Sequence, residues 1–165
     1  MTQETTIQKF HEMSVEDIAK YLSLPTWLVH ALMCNWINVH TQEWSCIATD
    51  GYYQWTPIRV ALLNAMPLNA FDKPLTLKIY PTNTKKLLEF LSSLNNEYVC
   101  YIGHPPTALL INKYLNVKCE RKNYVYNGEI MIAFVLRSRT ATSGADVSVS
   151  EDDLISYVIY PIDNA

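Results

Sequence analysis

A chain of 165 residues with 49% hydrophobic and 18% charged residues can bury a substantial core, which excludes a disordered chain and indicates one medium domain or a domain with a small appendage. A net charge of −3 speaks against a nucleic-acid coat. No apolar run reaches membrane-spanning length and the start, MTQETTIQKF, lacks a basic-then-apolar order, so no membrane partner and a cytoplasmic location are expected, in the host cell if the protein is viral.

Charge is uneven along the chain: up to Ile58 it sums to −4, and over the remainder to +1. The two parts are therefore expected to meet different partners. Cys34, Cys46, Cys100 and Cys119 stand far apart with no C-x-x-C pair. That spacing predicts neither a zinc site nor a disulfide framework, and reduced thiols behave as small core residues. His11, His30 and His40 show no spacing with carboxylates suited to a metal, so neither a metal nor another cofactor is expected.

Ser14 with Asp17 reads as an N-cap opening a first helix through Ile18, Ala19, Tyr21 and Leu22, broken by Pro25. A second helix is predicted from about Thr26 to Trp36. The segment INVHTQEWSCIATDGYYQW suits a hairpin with Asp50-Gly51 in its turn, giving residues 1–57 the cadence of a helix-turn-helix with a wing. The second helix carries no lysine or arginine, and phosphate contacts supply most non-specific affinity. Duplex DNA is thus a poor partner for it, and a packing or oligomerisation module is the competing reading.

Thr56-Pro57 reads as a joint, after which residues 58–165 form the main domain. RVALL gives an apolar strand ended by Asn64, and Pro67 and Asn69 lie in the following turn. PLTLKIYP alternates as a strand with Leu75, Leu77 and Ile79 on one face. The run TNTKKLLEFLSSL is an amphipathic helix capped near Thr82 and buried through Leu87, Leu88, Leu91 and Leu94. After Lys118, Arg121 and Lys122 read most simply as solvated loop charges. Asn127-Gly128 suits a hairpin turn into EIMIAFVLRSR, the most continuous apolar strand and so a central one. Arg137 and Arg139 leave its end on one side, either as a solubilising strand end or as a phosphate clamp. Ser150 with Asp153 caps a short helix, and YVIYPI closes as a last strand. The alternation predicts an α/β (α+β) fold: a mixed central sheet with helices packed on it, plus the small N-terminal helical appendage.

YIGHPPTALLI, from Tyr101 to Ile111, is the most informative stretch. A buried strand from Tyr98 to Ile102 meets Gly103, which permits a sharp exit, and then His104. Pro105 and Pro106 suit the first turn of a helix whose buried face is predicted at Leu109, Leu110 and Tyr114. His104 at a helix N-terminus is either a plain turn residue or part of a phosphate site.

LLNAMPLNAF, then GHPPTALLIN, then LRSR and SEDDLISY before a final strand resemble the viral type III anti-CRISPR ring nucleases, a family of small proteins also found in bacteria and mobile elements. The resemblance covers roughly residues 59–162. It implies metal-independent cleavage of cyclic tetra-adenylate, the second messenger of type III CRISPR systems, by a homodimer that encloses the ring. Asn64 matches the family's L-x-N-A asparagine, Gly103 and His104 its glycine and histidine, and Arg139 its strand-end arginine. Pro106 and Thr107 only partly match its small hydroxyl residues. The family's acidic residue falls on Thr142, with Asp146 a possible substitute, and its loop basic residue falls near Asn123, with Arg121 and Lys122 adjacent.

The ribose 2′-OH of RNA can attack the adjoining phosphate in line, leaving a 2′,3′-cyclic phosphate and expelling the 5′ oxygen. A catalyst has to align these atoms, offset charge and protonate the leaving oxygen. His104 and Arg139 are the expected catalytic residues, as general acid and phosphate clamp. Asn64, Pro67, Asn69, Gly103, Pro106, Thr107, Arg121, Lys122, Arg137 and Thr142 are the expected ligand contacts. A protein that binds the ring without cutting it, and a DNA-binding or structural viral protein, are the alternatives.

Overall fold

The computed structural model describes residues 9–34, 36–38, 55–57, 59–94, 96–120, 122–137 and 149–163. Arg121, Arg139, Thr142, Asp146 and the Asp50-Gly51 turn lie outside them. Ser14 opens α1 (Val15–Leu22), its Oγ accepting the Asp17 N–H at 3.1 Å. Ser23 closes the helix in the left-handed region (φ 58), ahead of Pro25. Pro25 also starts α2 (Thr26–Cys34), because its carbonyl accepts the N–H groups of Leu28 and Val29. The second helix thus ends before Trp36, which begins β1 (Trp36–Asn38), antiparallel to β2 (Trp55–Pro57).

The five-stranded sheet contains β3 (Arg59–Leu63), β4 (Leu75–Asn83), β5 (Glu97–Cys100), β6 (Ile130–Leu136) and β7 (Leu154–Asp163), in the order β4-β7-β6-β3-β5. The apolar β6 is central, as its composition predicts. β5, β3 and β6 run parallel, while β7 pairs antiparallel with β6 and β4. The C-terminal ends of the three parallel strands therefore share one edge of the sheet. α3 (Thr84–Ser92) is capped by Asn83, whose Oδ1 accepts the Lys86 N–H at 3.1 Å, one residue beyond the expected cap. The Ser150–Asp153 capping box forms, but it closes a single 3₁₀ turn.

The helices lie on one face of the sheet. Ile18, Leu22, Leu28, Leu32, Leu87, Leu91 and Ile111 bury against Val60, Leu62, Ile132 and Val158 in one continuous core. Edge-to-face contacts of Phe10 with Phe90 (5.4 Å) and Trp27 with Tyr160 (5.0 Å) tie the N-terminal helical part into that core. Ala61, Leu63, Met131, Ala133 and Ile159 line the other face, covered by Ala70 from a 3₁₀ turn (Leu68–Ala70) and by Tyr124 from an irregular segment. Among the described residues no helix is long and apolar enough to cross a membrane.

Three expectations are corrected. α4 (Pro105–Leu115) buries Thr107, Leu110 and Ile111, whereas Leu109 is 67% exposed. Gly128 does take a positive φ of 84, but residues 122–127 form no strand, so no hairpin precedes β6. Cys100 and Cys119, 19 residues apart, form a disulfide rather than remaining thiols. A spacing that long carries no sequence signature, and proximity arises only because the chain after α4 returns alongside β5, where Cys119 bridges Cys100.

Candidate functional site

β3 ends at Leu63, and Asn64 emerges exposed at the shared strand edge. Beside it, Tyr101 extends the ladder past β5, its N–H donating to the Leu62 carbonyl at 2.8 Å. The chain then turns through Gly103 without a positive φ and reaches His104, the N-cap residue of α4. His104 holds extended backbone angles and its carbonyl accepts the Ala108 N–H at 3.0 Å. The two prolines at the start of α4 bring no N–H groups, so the first helix donor belongs to Thr107. The helix N-terminus is accordingly a poorer anion cradle than its position alone suggests.

The imidazole is fixed from behind. Its Nδ1 lies 2.7 Å from Oγ1 of Thr107, a hydroxyl carried by a residue only 1% exposed. That bond orients the half-buried ring and leaves Nε2 as the nitrogen available to a ligand. In front of it is a hollow of about 720 Å³, lined by Asn64, Tyr101, Gly103, His104, Pro105, Lys122 and Asn123. Among the described residues no acidic group lines the hollow, and Lys122 brings an ammonium to it. The Lys122 Nζ lies 5.0 Å from the centre of the Tyr101 ring, a cation–π contact that holds the ammonium over the hollow. A smaller adjoining hollow of about 170 Å³, which shares Asn64, Tyr101, Lys122 and Asn123, adds Pro67, Asn69 and Tyr124.

The Lys122 segment is held by the disulfide. Cys119 is bonded to Cys100 of β5, and the Glu120 N–H reaches the Cys100 carbonyl at 3.5 Å. Tyr124 then buries its ring edge-on against Tyr101, with centroids 5.0 Å apart. Its buried hydroxyl makes no geometrically sound hydrogen bond among the described residues, and burial, with the Glu129 carboxylate close by, pushes its ionisation far upward.

Of the residues expected from sequence, Asn64, Gly103, His104 and Lys122 line one hollow, and Pro67 and Asn69 line the adjoining one. Thr107 touches the imidazole from within the core, and Pro106 sits in the first turn of α4. Arg137 is exposed at the end of β6, where its N–H donates to the Asp153 carbonyl at 2.9 Å, and it lines neither hollow. Tyr101 and Asn123 are contacts that sequence reading missed. Tyr101 passed as a core strand residue, and Asn123 stood only as the place of a missing basic group.

Fold and site together define a small α/β protein with helices on one face and a hollow at the C-terminal edge of its parallel strands, lined among the described residues by Asn64, His104 and Lys122. No protein-family model matches the chain, and no curated protein matches it. Among solved structures it is similar to B116 of Sulfolobus turreted icosahedral virus, with 18% identity and a TM-score of 0.48; the match covers 62% of this chain and 98% of that one.

Proposed function

We propose that the protein is a metal-independent ring nuclease that cleaves cyclic tetra-adenylate as a homodimer, countering or switching off type III CRISPR immunity. The observation that carries this reading is the convergence of Asn64, His104 and Lys122 on one hollow, with the imidazole pinned through Nδ1 to a buried hydroxyl. In the proposed reaction the 2′ oxygen attacks the adjacent phosphorus, the bond to the 5′ oxygen breaks, and the departing oxygen takes the proton of His104 Nε2. The 2′ proton leaves to water. A positioned general acid of this kind contributes typically about 10² to 10⁴-fold in rate. Lys122 offsets phosphate charge, Asn64 positions the ribose, and Arg139 adds a second cation to the phosphate. A twofold dimer suits a four-nucleotide ring, since each subunit can present the same geometry to it.

One observation favours a second reading, a protein that sequesters the ring intact. Among the described residues the His104 ring bonds to a hydroxyl and not to a carboxylate, so none of them supports the imidazolium with a carboxylate. Incubation with labelled cyclic tetra-adenylate in EDTA separates the two. Linear products ending in a 2′,3′-cyclic phosphate are expected from the nuclease and an uncut complex from the sequestering protein. Neither product nor complex refutes both.

A further inference from the structure

We infer that a second hollow, on the far side of Tyr101, is a binding site for an amino-bearing nucleobase, adenine in the ring proposed above; the inference rests on that reading. This hollow of about 360 Å³ lies along the helix-free face of the sheet, beside the first half of β3 and the end of β5. Its walls include Val99, Tyr101, Tyr126, Asn127, Glu129 and Arg59, an apolar and aromatic enclosure with one acidic and one basic group at its margin. That composition suits a flat heterocycle.

Both aromatic walls are held in place. Tyr126 donates its backbone N–H to the Ala70 carbonyl at 3.1 Å and packs on Phe71 with centroids 5.5 Å apart. Tyr101 is set by its ladder bond to Leu62 and its edge contact with Tyr124. The Glu129 carboxylate is also anchored, because Oε2 accepts the Asn127 N–H at 3.0 Å. A carboxylate is an acceptor, so it complements the exocyclic amino group of adenine and repels the carbonyl oxygen of hypoxanthine.

Tyr101 lines this hollow and the one containing His104 alike. A nucleotide bridging them puts its phosphate on the side of His104 and Lys122 and its base on the side of Glu129. Glu129 supplies the acceptor that the amino group requires, and Arg59, which also lines the second hollow, lies 3.8 Å from the Glu97 carboxylate. The base stacks on the tyrosine that separates them, while the Lys122 ammonium shifts from the ring to the phosphate.

The test measures binding of cyclic tetra-adenylate and of its inosine counterpart by calorimetry in EDTA, with folding of every variant checked by circular dichroism. Wild-type protein is expected to prefer the adenylate ring by about tenfold or more, as one base-edge contact commonly gives. Tyr101→Leu is expected to weaken adenylate binding by about five- to one-hundred-fold, the range for losing a stacked aromatic, and Tyr101→Phe to restore most of it. Glu129→Gln is expected to narrow the preference between the rings. Equal binding of both rings by wild type, unchanged in Tyr101→Leu and Glu129→Gln, overturns the base site and leaves the ring reading intact. Wild-type protein that binds neither ring overturns both.

Discussion

Opening the Cys100–Cys119 bridge should lower the stability of the fold by about 3 kcal/mol, from the loop-entropy relation applied to its separation of 19 residues. For a domain of this size that is a fall of roughly 6 to 12 °C in the unfolding midpoint. Cys100 is 2% exposed among apolar neighbours, an environment that accepts a thiol, so the loss should stay close to the entropic figure. Thermal and urea unfolding of wild type, with and without a phosphine reductant, measures it directly. Cys119→Ala serves as the control: it should reproduce the reduced midpoint and respond no further to reductant. A Cys119→Ala protein that unfolds at the oxidised wild-type midpoint would refute the reasoning. The same variant is expected to bind anionic ligand more weakly, because Lys122 follows three residues after the bridge.

Under the proposed activity, His104→Ala should abolish cutting of the ring while leaving its binding largely intact, and equal loss of both would refute the acid role. Thr107→Val keeps the buried shape but removes the imidazole's anchor; single-turnover cleavage should fall by about fivefold, the equivalent of roughly 1 kcal/mol, with binding unchanged. In the core, the Thr84 hydroxyl donates to the Leu154 carbonyl at 2.8 Å and lies 2.6 Å from the Ser156 hydroxyl. Thr84→Val leaves both oxygens short of a partner and should cost about 1–3 kcal/mol in urea unfolding, and adding Ser156→Ala should cost less than the sum of the two. Burial raises the Tyr114 and Tyr160 hydroxyls to about 12, with Glu151 adding to the effect at Tyr114 and Tyr126 at Tyr160. Their folded values exceed the unfolded one of about 10, so the stability they contribute is complete below pH 10 and is lost as pH climbs towards 12. Phenolate absorbance should therefore rise in two stages, the second coinciding with unfolding; one smooth rise centred near 10 would contradict this.

Local rules made much of the fold legible. The N-caps at Ser14 and Ser150, the central placement of the apolar β6 and the strand-glycine-histidine-proline run at the site follow from capping chemistry and periodicity. The approach of Asn64 to His104 follows from the parallel pairing of β3 with β5, because parallel neighbours finish at one edge, and the alternation of elements alone does not fix that pairing. What sequence concealed was set by tertiary return paths. Lys122 resembled a solvated loop charge, and nothing local says that its segment folds back over Tyr101. The phase of α4 was misjudged by the same token: the face presented to the sheet is fixed by the docking of Thr107 and Ile111, and Leu109 is turned outward.

Lateral growth of the sheet is hindered at both of its margins. On one side the outer rim of β5 is met at Cys100 by the bridged and disulfide-bonded Cys119. On the other, β4 carries Pro81 within its run, and proline offers no N–H for an incoming ladder. Each device interrupts the row of free backbone groups that an incoming strand would need.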